Sequence, residues 1–149
     1  MDMLGAIFPG AVVVIDPGGE TRAAHWGELM SHTAKAKGAA GVVIAGGVRD
    51  TPEILKLGFA CFRRYHSPRA AVYRYDITDF AVPIRIGGVA IAPGDFVLGD
   101  VDGILVLPKA AVDEVIARAG VLASLADMRE PGSGAAGPAA AQEAAPSDR

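Results

Sequence analysis

The sequence predicts a mixed α/β domain, a βαβα front half followed by antiparallel strands and a closing helix. Three features carry that expectation. Short apolar runs closed by glycine read as strands, apolar residues at helical spacing fill the gaps between the first of them, and a later glycine pair marks a hairpin.

The elements follow in order. Residues 11–15, Ala-Val-Val-Val-Ile, read as a buried strand closed by Asp16-Pro17-Gly18-Gly19. Residues 27–37 read as a helix, with Leu29, Met30, Thr33, Ala34 and Lys37 at helical spacings and Gly38 as the stop. Residues 41–45 give the next buried strand, ending in Gly46-Gly47. Thr51 is expected to N-cap a short helix, with Pro52 in its first turn and Gly58 at its end. Residues 59–62 and 70–75 read as strands. Gly87-Gly88 joins residues 82–86 to 89–91, because two glycines supply the positive φ of a tight hairpin turn. Pro93-Gly94-Asp95 turns the chain into a strand at 96–98, and Asp100-Val101-Asp102-Gly103 turns it into another at 104–107. A final helix is expected from about Lys109 to Met128. From Pro131 to Arg149 the residues are mostly Ala, Gly, Pro and Ser without an apolar face, so this segment cannot offset its ordering entropy. One folded domain is therefore expected over 1–130 and a disordered tail over 131–149.

Composition narrows the function classes. At 149 residues the chain can bury a real core, although its 51% hydrophobic content is swollen by alanine. A net charge of −3 and scattered Lys and Arg leave no basic stripe for nucleic acid. No run approaches the roughly 18 apolar residues that span a bilayer, so no membrane partner is expected. Met1-Asp2-Met3-Leu4 lacks the basic start and long apolar stretch of a signal peptide, and the single cysteine, Cys61, cannot form an internal disulfide. A cytoplasmic protein is expected.

Two short motifs can carry chemistry. Gly46-Gly47-Val48-Arg49-Asp50 follows a predicted strand, where ligands of α/β domains collect. Arg49 offers a planar fork for a carboxylate, and Asp50 offers hard oxygens for Mg²⁺ or Mn²⁺. The plainer alternative makes Asp50 a helix-capping group and Arg49 a surface charge. Trp26-Gly27-Glu28-Leu29-Met30 opens a predicted helix whose first N–H groups and dipole favour an anion, unless Glu28 merely complements that dipole. Twenty residues lie between Glu28 and Arg49, enough for one helix, one turn and one strand. That βαβ-like spacing can bring both loops to one edge of a sheet, around a small keto acid held through a metal.

These motifs resemble a known family. Gly27-Glu28-Leu29-Met30, Ala34-Lys35-Ala36-Lys37-Gly38, Ala40-Gly41-Val42-Val43-Ile44 and Gly47-Val48-Arg49-Asp50 look like the 4-hydroxy-4-methyl-2-oxoglutarate aldolases, a family grouped with the proteins named for regulator of ribonuclease activity A. Val82-Pro83-Ile84, Gly88-Val89, Pro93-Gly94-Asp95 and the run from Gly99 to Pro108 are similar too. The resemblance covers roughly Ala11 to Ala126. It implies a layered β/β/α sandwich of the swivelling-domain type, assembled as a homotrimer or hexamer. It also implies a class II aldolase that cleaves a 4-hydroxy-2-oxo acid to pyruvate, with oxaloacetate decarboxylation as a side activity. By the same resemblance Asp50 ligates a divalent Mg²⁺ or Mn²⁺. Residues 27–30 (Gly27, Glu28, Leu29, Met30) and the Arg49 guanidinium hold the substrate's pyruvyl end, and Glu28 and Arg49 are the catalytic candidates. The family signature is usually written with Asp where this chain has Glu28. Family members also carry a further N-terminal portion before the strand matching residues 11–15, so the resemblance implies a chain shortened there. A non-catalytic regulator or a degenerate copy is the competing expectation.

Other groups are given ordinary roles. His25, His32 and His66 form no zinc spacing, Asp100 and Asp102 serve a turn, and Cys61 is a buried thiol. Tyr65, Tyr73 and Tyr75 are expected to pack against strands.

Overall fold

The computed structural model describes residues 3–127. The predicted tail and the last residue of the predicted final helix, Met128, lie outside that range. The chain divides into two compact units, one through Ala90 and one from Ile91.

The first unit is built on a four-stranded parallel sheet. Its strands are β1 (Val12–Ile15), β2 (Ala24–Trp26), β3 (Gly41–Val48) and β4 (Ala60–His66), with α1 (Glu28–Ala36) and α2 (Thr51–Leu57) between the later ones. β3 is the axis. β1 pairs with its first half, Val12 opposite Gly41 through Ile15 opposite Ile44. β2 takes over along the same edge at Gly47 and Val48, and β4 lines the other edge throughout. Parallel neighbours need crossovers, and right-handed ones from β2 to β3 and from β3 to β4 put both helices on one face. The core agrees: Ala34 of α1 and Ile54 of α2 are buried with Val42, Ile44 and Val48 of β3, with Trp26, Ala39 and Phe59 completing the cluster. Gly38 and Gly58, both left-handed, end the two helices as the sequence predicts.

Several boundaries differ from expectation, each for a physical reason. β1 is half-buried rather than buried. β3 does not stop at Gly46-Gly47 but runs through them to Val48. Those glycines are needed because other side chains cross the strand there. A Cβ on Gly46 would lie 2.7 Å from His25 Nδ1, and one on Gly47 would strike the Tyr65 ring and sit 2.6 Å from the Ala23 carbonyl. Thr51 is the first helical residue of α2, not its cap; Asp50 takes the cap position. Within α1, Ser31 and Ala34 are buried and Met30 packs against the core, whereas Leu29 is 78% exposed and Thr33 and Lys37 face solvent. The predicted strand at 70–75 reduces to one bridge, Ala24 with Ala70, followed by a turn in which the fully exposed Tyr73 has a left-handed backbone. That placement also removes Tyr73 from the strand-packing role.

The hairpin of β5 (Ile84–Ile86) and β6 (Val89–Ile91) turns at Gly87 and Gly88, whose φ of +58° and +84° suit the predicted tight turn. In the second unit β7 (Phe96–Gly99) and β8 (Ile104–Leu107) pair antiparallel, Leu98 opposite Leu105. Their turn is closed by Asp100 Oδ1, which accepts from the amides of Asp102 and Gly103. A short 3-10 turn (Lys109–Ala111) then opens α3 (Val112–Asp127). Among the described residues no helix is long and apolar enough to cross a membrane.

Candidate functional site

The register of β2 and β3 sets Trp26 beside Val48, so the residues that follow both strands emerge together at the carboxyl edge of the sheet. Gly27 and Glu28 come from one strand, Arg49 and Asp50 from the other. The Arg49 amide donates to the Trp26 carbonyl at 3.1 Å, locking the two ends. Asp50 Oδ2 accepts the Glu28 amide at 3.3 Å and lies 3.4 Å from Arg49 Nε. The predicted Gly27–Met30 and Arg49–Asp50 motifs therefore meet in one corner.

Gly27 is required there for room. Its backbone is extended, a conformation open to any residue, but a Cβ would lie 2.8 Å from Asp50 Oδ2 and 3.1 Å from Arg49 Cγ and Nε. Glycine also lacks a side chain to cap α1. The first amide with a carbonyl partner in the helix is that of Ser31, which donates to Gly27 O at 3.1 Å. The amides of Leu29 and Met30, in the uncapped first turn, remain for an outside acceptor. Leu29 thus offers the corner its backbone alone, since its side chain points to solvent.

Buried polar contacts hold this helix end. Trp26 Nε1 donates to Ser31 Oγ at 2.8 Å, and Ser31 Oγ donates to Gly27 O at 3.0 Å, both groups sealed from water. Trp26 opens the motif the sequence points to, but Ser31 was not a sequence-based candidate; a serine inside the helix, five residues after a lone tryptophan, was the available signal. The Glu28 carboxylate lies 3.7 Å from His32 Nε2, an i,i+4 pair on the exposed side. Thr51 Oγ1 is 2.9 Å from His66 Nδ1, while Arg63 reaches His66 Nε2 through Nε and a terminal nitrogen. His32 and His66 thus flank the corner rather than sitting idle on the surface.

Asp50 is held in a left-handed backbone, φ +57° and ψ +33°, without a side-chain cap bond. Such a conformation costs an L-residue about 1 kcal/mol, least for Asp and Asn. Among the described residues no three His, Cys, Asp or Glu side chains gather around a metal position. A hard cation that keeps most of its waters needs only one or two carboxylates, and Asp50, whose Oδ1 takes no part in the contacts above, suits it.

A second region brings charge together within the first unit. A cleft of about 340 Å³ is lined by Glu20, Arg22, Ala23, Arg69, Arg74 and Tyr75. Glu20 Oε1 accepts the Arg22 amide at 2.9 Å, Oε2 accepts the Ala23 amide at 2.7 Å, and Arg22 Nε lies 3.3 Å away. The bond from Ala23, foremost, holds the Glu20 carboxyl below its ordinary range. Behind it His25 is buried, its ring edge-on to Tyr75 and neither nitrogen hydrogen-bonded. Burial lowers its pKa; Glu20 Oε2, 3.4 Å from Nε2, opposes that pull without overcoming it. Tyr65 donates to the carbonyls of Glu20 and Ala23. Cys61 is half-buried, and desolvation pushes its thiol up to about 11.

The RraA-like family (Aldolase/RraA) matches residues 1–106. The 4-hydroxy-4-methyl-2-oxoglutarate aldolase of Thermus thermophilus is 36% identical over 100 residues, covering 67% of this chain and 60% of that protein. A protein of Halalkalibacterium halodurans, given the same enzyme name provisionally, is 40% identical over 111 residues, 74% of this chain and 52% of the relative. The chain thus spans between about half and three fifths of the length of these curated relatives. The crystal structure of Streptomyces coelicolor RraAS2, an unusual member of the RNase ES inhibitor RraA protein family, superposes with a TM-score of 0.77 at 29% identity, covering 85% of this chain and 64% of that one.

Proposed function

Since this chain belongs to the RraA-like family and shares its fold, we propose that it acts in divalent-metal-dependent cleavage of a 4-hydroxy-2-oxo acid to pyruvate. The observation that carries this reading is the corner where an uncapped helix start, a guanidinium and a strained carboxylate converge. Arg49 turns Nε toward Asp50, which leaves its terminal nitrogens for the substrate carboxylate. The amides of Leu29 and Met30 add fixed donors where negative charge develops on the oxo group. A Mg²⁺ or Mn²⁺ ion at Asp50 would supply Lewis-acid polarisation of that same group. Glu28, beside His32, is the carboxylate nearest to hand for moving the 4-hydroxyl proton. Oxaloacetate, which needs the same charge stabilisation, is the expected second substrate.

The setting we infer is cytoplasmic, and the assembly a homotrimer or hexamer. Phe96, Leu98 and Leu105 share one face of the β7–β8 pair and are each more than half exposed, an apolar surface that a second copy would cover. Light scattering at micromolar concentration should give a mass of three or six chains.

A non-catalytic, protein-binding regulator is the second reading. It is favoured by the likeness to Streptomyces coelicolor RraAS2, a member of an RNase inhibitor family. One assay separates the two. Lyase turnover of 4-hydroxy-4-methyl-2-oxoglutarate with Mg²⁺ or Mn²⁺, lost in EDTA and in Asp50→Ala, supports the aldolase. Activity untouched by EDTA removes it, and a folded protein that binds neither metal nor pyruvate leaves the regulator.

A further inference from the structure

We propose that the cleft between Arg22, Arg69, Arg74 and Tyr75 is a second, separate binding site, for a small dicarboxylate. It shares no lining residue with the Arg49–Asp50 corner.

The charge balance comes first. Glu20 is the only acid among the lining residues, and its two oxygens are consumed by the Arg22 and Ala23 amides with Arg22 Nε close by. Glu20 and Arg22 therefore cancel each other within the wall. Arg69 and Arg74 are exposed and opposed by no acid among the lining residues, so the lining carries an excess of two positive charges, which Asp16, close enough to act on Tyr75, offsets in part from outside it. A volume of about 340 Å³ suits a ligand of a few heavy atoms rather than a peptide.

The frame is also built before any ligand arrives. Ser67 Oγ donates to Arg22 O at 2.6 Å and accepts the Arg69 amide at 3.2 Å, and the Ala24 amide donates to Arg69 O at 2.8 Å. These bonds fix Arg22 and Arg69 against each other through β2. On the other side Tyr75 donates to Asp16 O at 3.1 Å and its ring meets buried His25 edge-on, which anchors the turn bearing Arg74. A preorganised frame reduces the ordering cost of binding.

The ligand class follows from what the frame lacks. Phosphate is commonly cradled by backbone amides, but the Arg22 and Ala23 amides are already taken by Glu20. What remains is two planar guanidinium forks, which match carboxylate and phosphate alike, and a tyrosine ring; the ring, which can cover a short methylene chain between two anionic ends, is what favours a dicarboxylate.

The test is calorimetric titration of full-length Arg49→Gln protein, whose other carboxylate-binding guanidinium is gone, with succinate, acetate and inorganic phosphate. Succinate should bind saturably, about tenfold or more tighter than acetate or phosphate. Adding Arg69→Gln and Arg74→Gln should weaken succinate about tenfold or more. Adding Arg69→Lys and Arg74→Lys should weaken it measurably, because charge survives without the fork; circular dichroism checks that each variant is folded. No saturable succinate binding, phosphate as tight as succinate, or binding indifferent to both replacement pairs would each overturn the proposal.

Discussion

Asp50 and Glu20 are both carboxylates at an end of the short strand β2 or its neighbour, and both accept backbone amides, yet they are treated differently. Glu20 takes two amides at 2.7 and 2.9 Å, has a guanidinium beside it, and is held in its charged form. Asp50 also has a guanidinium beside it, Arg49 Nε at 3.4 Å, but takes only one amide, at 3.3 Å, sits in a left-handed backbone, and leaves one oxygen outside these contacts. The saturated carboxylate shapes a loop. The under-used and strained one keeps an oxygen open to an outside partner. A carboxylate at a strand end is thus better judged by what its oxygens already do than by its position.

The sharpest way to break this contrast is to exchange the losses. Replacing Asp50 by Gly should lower metal-dependent lyase activity by more than about a hundredfold in kcat/KM, since even removing a residue that only orients a metal's ligand costs up to that. The same variant should melt no lower than the parent, because glycine relieves about 1 kcal/mol of left-handed strain. A clear fall in melting temperature would make Asp50 a structural group.

Arg49→Lys retains charge without the fork, and losing a charge-assisted bidentate contact should lower kcat/KM about tenfold to a hundredfold. Parent-like turnover would assign the substrate carboxylate elsewhere. Gly27→Ala places a methyl against Asp50 Oδ2 and the Arg49 side chain, so activity should fall with a smaller change in stability. Glu20→Gln should do the reverse, lowering the melting temperature while leaving turnover near the parent's.

The smallest effect is one of pH. His25 has its folded pKa depressed by burial below the ordinary 6.5, so between those two values the unfolded chain binds a proton that the folded chain refuses. Stability should therefore be full above pH 6.5 and decline as pH falls below it. Glu20, also depressed, from 4.5, adds a second decline at lower pH. Thermal melts between pH 8 and 4 should show the first step disappear in His25→Gln, if that variant folds, and persist in Glu20→Gln.

Much of this was legible in the sequence wherever local pattern and tertiary demand agree. The parallel front, both helix stops, the Gly87-Gly88 turn and the meeting of Gly27–Met30 with Arg49–Asp50 all follow from apolar runs, glycine placement and βαβ spacing. The misread positions are those where a distant side chain decides. Gly46 and Gly47 look like a strand stop until His25 and Tyr65 are seen lying across them. Thr51 looks like a cap because Asp50's left-handed backbone has no local sequence signature. Residues 70–75 look extended, but the sheet offers them only the bridge at Ala70, and Tyr75 is drawn to His25 instead. The Arg22–Arg69–Arg74 cleft was invisible because its two halves, residues 20–23 and 69–75, are far apart in the chain.

Every ladder of the parallel sheet runs through β3: it contacts β1, β2 and β4, and those three do not pair in a ladder with one another. Both edges of β3 are occupied, and Val42, Ile44 and Val48 are essentially sealed from solvent. Its amide protons can therefore reach deuterated solvent only when the whole sheet opens, whereas β1 and β4 each release theirs by peeling from one side. Hydrogen exchange should rank the strands accordingly. The slowest amides belong to β3, directly behind Arg49 and Asp50, so the candidate site is mounted on the part of the chain that opens last.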